Sequence, residues 1–136
     1  MTIDWTKERV LVTGGAGFIG SHLTEALIHR DATVIVADDF SRGSIDNIDH
    51  LRDDINLRPV DLTTREGCIR ATESVDRVFH LAASVGGIHF IQREAVGGLT
   101  PSVLMNQQLL EACRINDIAD FLFASSACIY RQEDEG

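Results

Sequence analysis

The segment Gly14-Gly-Ala-Gly-Phe-Ile-Gly20 constrains the fold more than any other part of this chain. It follows an apolar run, Arg9–Thr13, that is typical of a buried strand, and it precedes apolar residues at helical spacing. In a strand-turn-helix unit, Gly14 permits a tight turn, Gly17 lets the backbone approach a pyrophosphate, and Gly20 lets the helix pack closely on the strand. Free amides of the first helical turn would face the same phosphates. The segment therefore predicts a dinucleotide site, with a plain loop as the alternative.

Short apolar runs alternate with helical patterns along the rest of the chain. The runs cover residues 9–13, 33–37, 55–60, 77–81 and 121–124 and indicate five buried strands. Residues 63–66 are typical of the capped start of a short helix. Apolar residues at helical spacing precede the second and fifth strands: Ile19, Leu23, Ala26 and Leu27, then Met105, Leu109, Ala112 and Cys113. This alternation predicts an α/β fold with a doubly wound parallel sheet, in one domain over residues 1–136.

The acidic composition argues against nucleic acid or an anionic membrane as a partner. The formal net charge is -9, and a surface of that sign repels phosphate. No segment reaches the roughly 18 apolar residues that a membrane span needs. The cysteines include no C-x-x-C pair and are odd in number, which favours a reducing compartment. We therefore expect a soluble, cytoplasmic protein. Cys113 lies on an apolar helical face and Cys68 on a short helix, and we expect both in the core or at the surface.

Two aspartates at the end of the second strand indicate which dinucleotide would bind. Asp38, our first choice, lies at about the separation from the glycines at which a carboxylate accepts hydrogen bonds from the adenosine ribose. A carboxylate at that point repels a 2′-phosphate, so NAD is favoured over NADP. Arg42 nearby keeps NADP open as an alternative, and the other interpretation is that Asp38 and Asp39 only end the strand.

Glycine pairs at positions 86–87 and 97–98 bracket the segment before the last helix. They predict a long glycine-hinged loop over residues 84–101, with the helix starting after Pro101. Loops of that length usually carry function. The histidines, including His22, His29 and His50, have no metal-ligand spacing with acids or thiols, so we expect no metal.

Four segments, each directly after a predicted strand, together resemble the extended short-chain dehydrogenase/reductase family and its NAD-dependent epimerase/dehydratase branch. They are the G-x-x-G-x-x-G motif, Asp61-Leu62, His80-Leu-Ala-Ala83 and Ser125-Ser-Ala-Cys-Ile-Tyr130. The resemblance implies a Rossmann fold, with Asp61 at the adenine end of NAD and Ala82 and Ala83 at its pyrophosphate and ribose. The implied cofactor-binding residues are Gly14, Gly17, Phe18, Ile19, Gly20, Asp38, Asp61, Leu62, Leu81, Ala82 and Ala83.

Within the family, the chain is most similar to enzymes of GDP-sugars, first those that epimerise GDP-mannose at C3 and C5 and then the synthases of GDP-L-fucose. The segments Val85-Gly-Gly-Ile88 and Ser125 to Tyr130 carry this similarity. It implies that Ser126 holds the sugar hydroxyl being oxidised and that Cys128 exchanges a proton at the epimerised carbon, for which a thiol can be tuned. Without the resemblance, a cysteine after a strand is more often a buried hydrophobe. The implied substrate-binding residues are Gly86, Gly87 and His89.

The family's catalytic Tyr-x-x-x-Lys pair is absent from this sequence. The sole tyrosine, Tyr130, is followed four places later by Asp134, and the sole lysine is Lys7. Smaller departures are Ser102, where the family has asparagine, and Arg131, where the GDP-sugar enzymes have proline. In full-length relatives the pair lies downstream, before a smaller sugar-binding domain. We therefore expect an N-terminal portion, truncated after about five strands and inactive alone.

Three expectations about assembly and activity follow from this interpretation. The edge of the fifth strand would be unprotected and prone to self-association, while the full-length enzyme would form a homodimer. Another nucleotide-sugar 4-epimerase or dehydratase remains an alternative to the 3,5-epimerase. A non-catalytic NAD-sensing or scaffold module is the alternative from a different class.

Overall fold

One parallel sheet forms the centre of the structure, a computed structural model that describes residues 3–84, 95–118 and 120–126. Its strand order is β3-β2-β1-β4-β5, and every neighbouring pair is parallel. This confirms the predicted doubly wound α/β fold. The strands are β1 (Arg9–Thr13), β2 (Thr33–Asp38), β3 (Ile55–Pro59), β4 (Arg77–His80) and β5 (Asp120–Phe123), and the helices are α1 (Phe18–Ile28), α2 (Arg65–Thr72) and α3 (Ala95–Ile115).

Helices cover both faces of the sheet because successive residues of the central strand point to opposite sides. Val10 and Val12 of β1 enter a buried cluster with Leu27 of α1. Leu11, between them, enters a second cluster with Leu109 of α3 and residues of α2. The strands β1 and β2 are buried almost throughout, as predicted, and β4 buries Val78 and His80.

The prediction of five buried strands was wrong for the two outer ones. β3 is only partly buried, and in β5 the side chains of Leu122 and Phe123 are each 51% exposed. β5 pairs with β4 on one side, and no other described strand pairs with it. The apolar residues of β5 gave the same sequence signal as a central strand, because composition does not report position in the sheet.

The last helix begins earlier than the sequence predicted. α3 starts at Ala95 rather than after Pro101, which lies inside the helix. A proline removes one helical hydrogen bond, so it usually marks a boundary, but this helix continues through it. The Ser102 hydroxyl oxygen accepts a hydrogen bond from the Ser84 amide at 3.1 Å. Residues 85–94 of the predicted loop lie outside the described residues.

The inner face of α1 combines part of the predicted apolar set with small residues, since Leu27 is buried and Leu23 packs against the same cluster. Gly20, Ser21, Thr24 and Leu27 are buried, whereas Ile19 is 68% exposed. At its first turn the helix lies so close to the glycine-rich turn that a side chain at Gly20 would collide with backbone. The short helix α2 begins as predicted, because the Thr64 hydroxyl oxygen accepts a hydrogen bond from the Gly67 amide. Within the described ranges, no helix is long and apolar enough to cross a bilayer.

Candidate cofactor site

A cleft of about 400 Å³ opens at the carboxyl ends of the strands. It lies at β1, the strand that pairs with β2 on one side and with β4 on the other. The chain passes from β1 to β2 and β3 in one direction and then crosses to β4 on the other side of β1. Such a switch point is the usual ligand site of open α/β sheets. All of the cofactor residues predicted from the sequence line this one cleft: Gly14, Gly17, Phe18, Ile19, Gly20, Asp38, Asp61, Leu62, Leu81, Ala82 and Ala83.

The three motif glycines differ in what a side chain would meet. Gly14 has φ of +68°, and a Cβ there would lie 2.9 Å from the Ala82 amide nitrogen. At Gly20 a Cβ would overlap the carbonyl oxygen of Gly14. At Gly17, which precedes α1 as its N-cap, a Cβ would meet only the Gly14 carbonyl oxygen, at 3.2 Å. Gly14 and Gly20 are therefore required by the fold itself, whereas Gly17 mainly keeps space in the cleft.

Asp38 ends β2 with its carboxylate beside the glycine-rich turn. Its side chain is buried, and its two oxygens accept hydrogen bonds from the Ala16 amide at 3.0 Å and the Phe40 amide at 2.9 Å. A carboxylate has about four acceptor positions, so both oxygens keep capacity for ribose hydroxyls. Asp39 is exposed and accepts a hydrogen bond from the Ser41 amide, and the exposed Arg42 also lines the cleft.

Asp61 and Leu62 line the cleft just after the end of β3. One Asp61 oxygen accepts hydrogen bonds from the amide and the hydroxyl of Thr63, at 2.8 and 2.7 Å. This local turn holds the exposed carboxylate at the edge of the cleft. Leu62 is buried beneath it.

The buried side chain of His80 supports the β4 side of the cleft, a role that the sequence analysis did not assign to it. Thr13 Oγ1 accepts hydrogen bonds from the amides of Leu81 and Ala82, both at 3.2 Å, and lies 2.7 Å from His80 Nδ1. Since that hydroxyl already accepts two bonds, it donates its proton to Nδ1. His80 Nε2–H then donates to Asn106 Oδ1 at 2.8 Å. The signal in the sequence was a histidine at a strand end, next to the implied contacts Leu81 and Ala82.

Burial lowers the pKa of His80, and the hydrogen bond to Asn106 opposes part of that shift. The folded state therefore binds this proton less readily than the unfolded chain, in which the histidine pKa is about 6.5. Its contribution to stability is complete above pH 6.5 and is lost as the pH falls from 6.5 towards the lower folded pKa.

We expect urea unfolding to show a loss of wild-type stability between pH 7.5 and pH 5.5, to which His80 contributes because its folded pKa is lowered. His80→Gln should reduce this loss, whereas the same substitution at the exposed His50 should keep it. An unchanged pH dependence in His80→Gln would show that His80 is not the titrating group.

The predicted catalytic and substrate residues are only partly within the described chain. Ser126 is exposed and lies three residues beyond β5, two residues after Ala124, which lines the cleft. Cys128, Gly86, Gly87 and His89 lie outside the described residues. The structure thus brings the cofactor residues together and leaves the roles of Ser126 and Cys128 as predictions.

The other two cysteines are core residues. Cys68 and Cys113 are both buried in the cluster under α2 and α3. Burial raises the pKa of the Cys68 thiol to about 12 and that of Cys113 to about 11. Neither thiol is ionised at neutral pH, so neither suits proton exchange there. In the described part of the chain, no group of three or more His, Cys, Asp or Glu side chains is arranged to hold a metal.

The strand order, the glycine-rich turn and the cleft define a Rossmann-type α/β domain. The chain belongs to the NAD-dependent epimerase/dehydratase family, whose model matches residues 10–136. Over 128 residues the chain is 38% identical to GDP-mannose 3,5-epimerase of Arabidopsis thaliana, and the matched region makes up 93% of this chain and 33% of that protein. The chain is 33% identical over 129 residues to UDP-glucose 4-epimerase of Erwinia amylovora, with 89% and 37% covered.

Solved structures agree with the family assignment. The UDP-glucose 4-epimerase of Thermus thermophilus in complex with NAD superposes with a TM-score of 0.77 at 37% identity, over 87% of this chain and 37% of that one. The chain spans about a third of the length of the first curated relatives that it matches.

Proposed function

We propose that the chain is the NAD-binding portion of a nucleotide-sugar epimerase that acts on a GDP-sugar as a GDP-mannose 3,5-epimerase does. The observation that carries the proposal is the single cleft that contains every predicted cofactor residue. The similarity to the Arabidopsis thaliana enzyme over 93% of the chain supports the choice of reaction.

The residues of the cleft fit NAD. Gly17 leaves room for a pyrophosphate at the start of α1, where the first amides have no partner within the helix. Asp38 accepts the ribose hydroxyls at the end of β2, and Asp61 lies at the adenine end. The negative charge of Asp38 disfavours a 2′-phosphate and so selects NAD over NADP. When bound, NAD supplies the hydride acceptor for oxidation of the sugar.

Ser126 and Cys128 perform the substrate chemistry in this proposal. Ser126 follows β5 and binds the sugar hydroxyl that is oxidised. Cys128, two residues further on, exchanges protons at the carbons next to the resulting ketone, since those protons are acidic enough for a thiol to move. A tyrosine and a lysine from a downstream portion complete the site.

The proposal is tested by joining this chain to the remaining downstream part of the Arabidopsis thaliana enzyme, of which it matches 33%, and incubating the product with GDP-mannose in D₂O. NMR should show deuterium entering C3 and C5. Cys128→Ser should slow this exchange about 100-fold. Cys113→Ala, which alters a buried thiol, should leave the exchange rate unchanged.

A second candidate is 4-epimerisation of a UDP-sugar, which the similarity to the UDP-glucose 4-epimerases favours. Joined instead to the downstream part of the Erwinia amylovora UDP-glucose 4-epimerase, the chain would then convert UDP-glucose to UDP-galactose. It would exchange no protons at C3 and C5, and Cys128→Ser would have no effect. That outcome would contradict the first candidate and support the second.

A further inference from the structure

The segment after β2 is folded over the outside of the glycine-rich turn. It contains the 3-10 turn Ile45–Asn47, in which the Asn47 amide donates to the Ser44 carbonyl at 3.1 Å. The next residue, Ile48, is 1% exposed and belongs to the same hydrophobic cluster as Ala16. Ile48 therefore anchors the turn and sets the position from which the Asn47 side chain extends.

Both backbone polar groups of Ala16, the amide and the carbonyl, form hydrogen bonds with Asp38 or with the segment that follows β2. Its amide donates to Asp38 Oδ2 at 3.0 Å. Its carbonyl oxygen accepts hydrogen bonds from the Ser44 amide at 3.1 Å and from Asn47 Nδ2 at 2.7 Å. The approach is close enough to require Gly43, because a Cβ there would lie 2.8 Å from the Ala16 carbonyl carbon.

The orientation of the Ala16 carbonyl also fixes the next amide. The peptide group is planar, so a carbonyl held towards Asn47 sets the direction of the Gly17 N–H, which donates to the Gly14 carbonyl at 3.0 Å. Gly17 lines the cleft, whereas Asn47 does not and is itself exposed. Asn47 thus acts on the cleft through one peptide group.

We propose that Asn47 is a positioning residue for the pyrophosphate of the dinucleotide. Its side-chain amide holds the Ala16–Gly17 peptide in the orientation that keeps the cleft side of the glycine-rich turn open. The proposal rests on the proposed binding of NAD. It assigns to the segment after β2 a role in phosphate binding, in addition to the proposed contact of Asp38 with the ribose hydroxyls.

Asn47→Ala separates this role from a general loss of structure. NAD and ADP-ribose should bind about tenfold more weakly by calorimetry, which is the usual effect of one lost hydrogen bond. Adenosine, which lacks the pyrophosphate, should bind with unchanged affinity in an NMR titration. Asn47→Asp, which points a carboxylate oxygen at the Ala16 carbonyl, should weaken NAD binding at least as much.

The matched control is Asp49→Ala in the next 3-10 turn, where the side chain makes only an exposed ion pair with Arg52. It should leave all three affinities unchanged. Equal weakening of NAD and adenosine in Asn47→Ala would overturn the proposal, because it would show general loosening of the site.

Amide hydrogen exchange decides the proposal independently of NAD binding. In Asn47→Ala the Gly17 amide should exchange about tenfold faster, while the Val12 amide of β1 keeps its wild-type rate. Unchanged exchange at Gly17 would overturn the positioning role. If the wild-type chain binds no NAD, the proposed cofactor function fails, and the Gly17 exchange rate still tells whether Asn47 fixes the turn.

Discussion

Gly20→Val should cost the folded chain about 3 kcal/mol or more, the largest loss of stability expected from a single change in the cleft. A Cβ at this position would overlap the Gly14 carbonyl oxygen, and the next atoms in its path, Gly15 Cα at 2.7 Å and Gly14 C at 2.8 Å, are also backbone. Backbone cannot rotate away as a side chain can, so α1 would have to move off β1. Urea unfolding, followed by circular dichroism, measures the change.

Gly17→Ala is the matched control for that loss. Its Cβ would meet only the Gly14 carbonyl oxygen, at 3.2 Å, and replacement of an N-cap glycine by alanine changes stability by about 1 kcal/mol or less. If Gly20→Val kept the wild-type unfolding midpoint, the close packing of α1 against the glycine-rich turn would be wrong.

Gly17→Val should weaken NAD binding about 100-fold, equivalent to about 3 kcal/mol, while the chain stays folded. The valine methyl groups would occupy the part of the cleft in which we propose that the pyrophosphate approaches the first turn of α1. Calorimetric titration measures the affinity, and the unfolding midpoint of the same variant shows that the fold is retained.

Gly17→Ala should fall between wild type and Gly17→Val in NAD affinity, because its single methyl group fills less of the same space. An unchanged affinity in Gly17→Val would place the pyrophosphate elsewhere in the cleft. These variants therefore test separately whether Gly20 is needed for folding and Gly17 for binding.

Local patterns predicted the fold and most of the cleft well. The glycine-rich turn, Asp38 and the segments after β3 and β4 are each short stretches with a fixed place relative to a strand end, and parallel strands bring those ends together. Once the strands were assigned, the meeting of these residues at one edge of the sheet followed.

Residues that act through distant contacts were missed for a physical reason. His80 gains its role from Thr13 and Asn106, which lie 67 and 26 positions away in the chain. Asn47 contacts Ala16 across 31 positions. Neither contact leaves a periodicity or a spacing in the sequence, so only the folded structure shows the pairing.

The errors in element assignment have a similar origin. Leu122 and Phe123 have the composition of a central strand, but β5 has one described neighbour. Pro101 predicted a helix start, and the helix continues through it. In each case tertiary context decided the outcome against a local preference.

The most direct test of the account is a calorimetric titration of the wild-type chain with NAD and, separately, with NADP. We expect NAD to bind with one site per chain and NADP at least tenfold more weakly, because the Asp38 carboxylate repels a 2′-phosphate. Equal or tighter binding of NADP would contradict the role of Asp38, and binding of neither nucleotide would contradict the assignment of the cleft as a cofactor site.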